Sequence, residues 1–166
     1  LFFSLPVAAS DMPWLGAPKT YVMIMYKDYQ CEDPKSPVMQ ELCVNVENAK
    51  FEDKWTVSTG FVFNDERLDA IVYFGLPEID YQAIKAITIK KHDKPLSNVI
   101  SDFEHSKNGM IKNDHSLWKV DENTVLMLIE HFSDKDQGPA FMYISREYSQ
   151  LLKDKSSVNS VSTITD

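Results

Sequence analysis

One stretch limits the fold more than any other: Trp55-Thr-Val-Ser-Thr-Gly-Phe-Val-Phe63, then Asn64-Asp-Glu-Arg67, then Leu68-Asp-Ala-Ile-Val-Tyr-Phe74. Two β-rich runs around four polar residues read as a β-hairpin. A two-residue turn at Asp65 and Glu66 and a four-residue loop over 64–67 predict the same register, with Phe63 opposite Leu68 and Phe61 opposite Ala70. Side chains in strands alternate between faces, and residues opposite one another share a face. One face then carries Trp55, Val57, Thr59, Phe61 and Phe63 with Leu68, Ala70, Val72, Phe74 and Leu76. It is nearly all apolar and is predicted to be core, because a one-residue slip would turn the whole set to water. The other face carries Thr56, Ser58, Gly60 and Val62 with Asp69, Ile71 and Tyr73. Gly60 is expected opposite Ile71, at a bulge or a close backbone approach. On this mixed face Val62, Ile71 and Tyr73 are a candidate binding surface.

The flanking chain supplies further elements. Residues 19–26 (Lys-Thr-Tyr-Val-Met-Ile-Met-Tyr) are apolar on both faces and predict a central strand. Residues 38–48 fit either a helical turn through Met39 and Leu42 or a strand through Cys43. A helix is predicted over 81–91, with Asp80 as N-cap and a stripe of Tyr81, Ala83, Ile84 and Ile87. Lys85, Lys90 and Lys91 would face solvent or the helix C-terminus, where the dipole suits them. Thr88 and Ile89 are β-branched and leave strand character open at its end. This helix is the candidate cover for the hairpin's apolar face. Residues 97–113 read as a polar loop with a turn at Asn108-Gly109, and His105 and Asn108 are candidate binding residues on it. Strands over 116–120, 124–132 and 140–145 form a meander, and a short helix over 146–153 follows, with Tyr148, Leu151 and Leu152 as its apolar side.

The predicted class is α+β: an antiparallel sheet of about five to seven strands, hairpin and meander, with one or two helices packed on one face. No convincing internal repeat is seen, and continuous βαβ alternation is absent. The 166 residues suit one domain burying roughly 70% of its unfolded surface. The expected boundaries are a signal-peptide remnant over 1–9, the domain over 10–155 and a disordered Ser/Thr-rich tail over 156–166. The opening run ends in Val7-Ala8-Ala9, small residues at the positions a signal peptidase reads. An exported, periplasmic or secreted, location follows, and an isolated cysteine pair there is expected to bridge, Cys31 to Cys43.

Composition narrows the function. With a formal net charge of −8 and no unbroken basic cluster, nucleic acid is not an expected partner. No run approaches the ~18 apolar residues of a membrane span. His92, His105, His115 and His131 form no ligand pair of metal-site spacing, so neither a metal nor a cofactor is expected. Gly-x-Ser-x-Gly and glycine-rich phosphate loops are missing from the sequence. The sequence therefore argues for a non-enzymatic exported protein-binding domain with an unknown protein partner, a basic one suiting the net acidity, for instance an inhibitor or immunity-type protein. The alternative is a small envelope hydrolase or metal-binding protein using His and carboxylate residues. Aromatic residues beyond the needs of the hairpin, among them Trp14, Tyr21, Tyr26 and Tyr29, favour the binding reading.

Overall fold

In the computed structural model, residues 12–51, 53–76, 80–105, 107–132 and 138–161 are described. The expected signal-peptide remnant over 1–9 lies outside them. The elements run α1 (Lys19–Met25), β1 (Tyr29–Glu32), β2 (Glu41–Phe51), β3 (Trp55–Asn64), β4 (Arg67–Phe74), α2 (Tyr81–His92), β5 (Ser97–His105), β6 (Gly109–Lys119), β7 (Thr124–Ile129), β8 (Ala140–Ser145) and α3 (Arg146–Val161). All eight strands join one antiparallel sheet in the order β1-β2-β3-β4-β8-β7-β6-β5. The class is α+β as expected, with eight strands and three helices among the described residues in place of five to seven strands and one or two helices.

That strand order is a palindrome of the chain order. A helix and a four-strand meander (α1, β1–β4) are followed by a second helix and a second meander (α2, β5–β8), and the last strands of the two meanders pair at the centre. The two halves share an architecture that no recurrence of residues announces.

The central hairpin turns at Asp65 and Glu66, both at positive φ (49° and 61°), and Asn64 pairs with Arg67 and Phe63 with Leu68, as the sequence predicts. One residue further the register departs. Val62 pairs with Ala70 and Phe61 with Ile71, so Asp69 is an extra residue on β4, a bulge. The bulge reverses every later side chain of β4. Ile71 and Tyr73 join Trp55, Val57, Phe61 and Phe63 on the face under α1 and α2, while Ala70, Val72 and Phe74 join Val62 on the opposite face. The carboxylate of Asp69 holds the kink, accepting from Asn64 Nδ2 at 2.9 Å and Ser145 Oγ at 3.2 Å. Gly60 lies opposite Val72 instead of Ile71. It does mark a close approach: a Cβ there would sit 3.1 Å from the Phe74 ring.

Each face of the sheet has its own apolar cluster, so the helices are not confined to one side. Under α1 and α2 lie Val22, Tyr81 and Ile84 against Phe61, Phe63, Leu68, Trp118, Leu126 and Leu128. Under α3 lie Tyr148, Leu151 and Leu152 against Val62, Val72, Met127, Met142 and Ile144. The predicted strand over 19–26 is instead α1. A short run apolar all round cannot be divided between strand and helix by periodicity; here Val22 is buried and Tyr21, Ile24 and Met25 are exposed, a one-sided helical pattern. Residues 97–113 are no loop: they form β5 and most of the hairpin to β6, around the expected turn at Asn108 and Gly109 (φ 67°). Asn98, Val99, Ile100 and Asp102 of β5 are all exposed, so the strand lacks the apolar alternation that marks a half-buried one. α2 and β8 occupy their predicted places, and α3 begins as predicted but continues to Val161, past residue 156. Residues 162–166 of the expected tail lie outside the described set.

Candidate functional site

Two surface features stand out around α1. The first is an exposed aromatic and aliphatic patch. Trp14 and Tyr21 pack together, ring centroids 4.8 Å apart, and remain 57% and 44% exposed; Ile24 and Met25 beside them are 67% and 62% exposed. Beneath the patch α1 is fastened through Val22 and through Tyr26, whose ring meets Phe61 edge-on at 5.2 Å. The helix is thus anchored on one side and bare on the other.

The second feature is an acidic groove of about 330 Å³ at the N-terminal end of α1, lined by Cys31, Glu32, Asp33, Gln40, Glu41, Phe63 and Glu66. Cys31 on its wall is bridged to Cys43, the residue directly opposite on β2. The bridge forms as the cysteine pair predicted, and it is consistent with an oxidising, exported location. Both cysteines sit near Glu41, but as a disulfide they offer no thiolate to a metal. Lys19, the first residue of α1, pairs with Glu41 at 2.5 Å, and its backbone N–H donates to the Glu66 carbonyl. The hydrogen bond that Lys19 donates to the Glu41 carboxylate raises the Lys19 pKa against the cost of desolvation. Lys35 likewise bonds Asp33 and holds its carboxyl below the ordinary range.

A third polar centre joins α2 to the outer strands. Asp114 on β6 accepts from Lys85 Nζ at 2.5 Å and Asn98 Nδ2 at 2.6 Å, and Asn98 also donates to Ser116 Oγ at 2.7 Å. Lys85 therefore faces the sheet, not solvent. Burial opposes the charge on Asp114, but the hydrogen bonds from Lys85, Tyr81 and Asn98 prevail and its pKa is lowered. Burial, reinforced by Asp114, pushes the Tyr81 hydroxyl far up. These groups satisfy one another, and the arrangement is a brace that fixes β6 to α2.

A wider cleft of about 600 Å³ lies between the β3–β4 turn and the start of α3, lined among others by Asn64, Arg67, Asp69, Ser145 and Tyr148. Ser145 caps α3, accepting from the Tyr148 N–H at 3.1 Å. No histidine lines either cavity.

The sequence-predicted surface residues are dispersed. Val62 lies under α3, and Ile71 and Tyr73 lie on the other face; all three are buried, and burial pushes the Tyr73 hydroxyl up to about 12. They do not form one outer face, because the bulge at Asp69 separates them. Asn108 is exposed at the β5–β6 turn. His105 ends β5 opposite Gly109, and its side chain lies outside the described residues. His131 is buried where Asn113 brackets its backbone, while His115 is desolvated and its pKa lowered, with Asp114 acting in the opposite sense. Sequence reading missed the α1 patch because 19–26 also suit a central strand; the available signal was Pro18 ahead of the run, a residue favoured at helix starts. Comparison with protein-family models, with curated proteins and with solved structures finds no match.

Proposed function

We propose that the chain is an exported, periplasmic or secreted, non-enzymatic protein-binding domain that docks its partner across the bare side of α1 and the acidic groove beside it. The observation that carries this reading is the Trp14, Tyr21, Ile24 and Met25 patch. Aromatic residues and methionine are enriched where proteins meet, and contiguous exposed apolar surface marks interaction sites. A half-buried, ring-packed Tyr26 supports the patch from behind, which limits the ordering cost of binding. Glu32, Asp33, Glu41 and Glu66 border the same end of α1, and the chain as a whole is acidic. A partner that presents an apolar knob flanked by Lys and Arg fits both features, with the carboxylates steering its approach. An inhibitor or immunity-type protein acting on a basic hydrolase or toxin is the specific form this takes.

The test is affinity capture from the native extracellular or envelope fraction with wild-type protein and with Trp14→Ala/Ile24→Ala. The expected result is a stoichiometric basic partner that the double variant loses at least tenfold in affinity, at unchanged melting temperature. Association should also weaken as salt rises. A partner held equally by the double variant would overturn the assignment of this surface, and turnover of a substrate by the isolated domain would overturn the non-enzymatic reading.

A further inference from the structure

The sheet has two edges, and they are treated differently. β1 is four residues long and is clipped to β2 by the disulfide. β5 is nine residues long and pairs with β6 without a register break, from Ser97 opposite Leu117 to His105 opposite Gly109. Natural edges are protected by charged side chains, lysine above all, or by prolines, bulges or a covering element. β5 contains no lysine and no proline, its pairing with β6 carries no bulge, and its outer side exposes Val99 (54%) and Ile100 (62%), one on each face of the sheet. β7 stops supporting β6 at His115, so beyond that point β5 and β6 continue as a ribbon of two strands. Such a ribbon is marginal without a further neighbour.

The order of residues along β5 says what that neighbour can be. Laid antiparallel against a second β5 with Ser101 on the two-fold axis, all nine residues find a partner. Val99 meets Phe103, Ile100 meets Asp102, Asn98 meets Glu104 and Ser97 meets His105. No carboxylate faces a carboxylate, although each chain is strongly acidic. Asp102 is already paired with Lys112 of its own β6 at 2.5 Å. Moving the axis to Asp102 would set that residue against itself, which is destabilising. Moving it to Ile100 keeps like charges apart but leaves Phe103 opposite Ser97 and takes Val99 away from it. We infer that β5 is a self-association edge: two copies of the chain pair β5 to β5 about an axis at Ser101, fusing their sheets into one. The contact is isologous and closes at the dimer, as a two-fold interface must. It uses the opposite half of the molecule from the α1 surface and does not depend on the function proposed for that surface.

The experiment is sedimentation equilibrium on the full, disulfide-intact chain from micromolar to near-millimolar concentration. The expected mass is twice the 19.1 kDa of one chain, falling to one chain in Val99→Lys/Ile100→Lys. Both residues are exposed in the single chain, so the variant should remain folded, with the far-ultraviolet circular dichroism of wild type. Ser101→Cys should give a disulfide-linked dimer in air, because each Ser101 faces its own copy. A monomer at every concentration would overturn the inference. So would a dimer that survives the lysine pair and fails to cross-link through Ser101→Cys, or one lost in Trp14→Ala/Ile24→Ala, since association would then lie elsewhere. Should the lysine variant not fold, cross-linking alone decides.

Discussion

Phe61→Ala tests whether the central hairpin holds the fold together. Phe61 is fully buried on β3; its ring stacks on Tyr29 at 4.4 Å and meets Tyr26 edge-on at 5.2 Å and Phe63 at 6.4 Å. Truncating a buried Phe costs about 3–5 kcal/mol from lost transfer energy and the cavity left behind. Each well-oriented aromatic pair adds about 0.5–1.5 kcal/mol beyond area burial, so three lost pairs place the expected cost in the upper part of that range, at about 4–5 kcal/mol. Relaxation of Tyr29, which keeps its hydroxyl bond to Thr59 at 2.6 Å, should be small because that bond pins the ring. For a chain of this size 1 kcal/mol moves the melting temperature by about 2–4 °C, giving a fall of about 8–20 °C. Urea unfolding followed by tryptophan fluorescence measures the same quantity, with Val120→Ala as an exposed control expected within about 0.5 kcal/mol of wild type. A loss below about 1 kcal/mol for Phe61→Ala would refute the placement of this ring at the junction of α1, β1 and β3.

Three further outcomes are expected. Replacing both cysteines, Cys31→Ala/Cys43→Ala, removes a cross-link spanning 12 residues and should cost about 3 kcal/mol in the chain-entropy model, seen as a lower melting temperature that reductant no longer affects. Asp114 has a lowered pKa in the fold, so its contribution is present above the ordinary carboxylate range and is lost as pH falls through the folded value. Wild type should therefore lose stability toward pH 3 more steeply than Asp114→Asn, and equal acid slopes would show that the Lys85 brace carries no weight. Asp69→Ala removes the acceptor of Ser145 Oγ and one of the two acceptors of Asn64 Nδ2 and should cost about 1–3 kcal/mol, whereas deleting Asp69 should abolish cooperative melting because it turns Ala70, Val72 and Phe74 toward α1 and α2. Melting curves of the two variants side by side distinguish a lost bond from a lost register.

Local chemistry was enough to read several parts of this chain. The turn at Asp65 and Glu66, the stripe of α2, the span of β8, the start of α3 and the union of Cys31 with Cys43 each follow from residues close together in sequence, where turn geometry, helical spacing and a lone cysteine pair leave few alternatives. Other parts were settled only by the assembled sheet. Val62, Ile71 and Tyr73 look like one face until Asp69 is recognised as an inserted residue, and its bulge is held by Ser145, 76 residues away. Lys85 looks solvent-directed until β6 brings Asp114 against it. Residues 19–26 suit a strand as well as a helix; they become α1 because the sheet leaves their position a cover, not a strand, to supply. The same choice bares Trp14 and Tyr21, so the candidate docking surface was hidden with it. Alternation and spacing are encoded within a few residues, whereas which face is buried depends on what the rest of the chain lays against it.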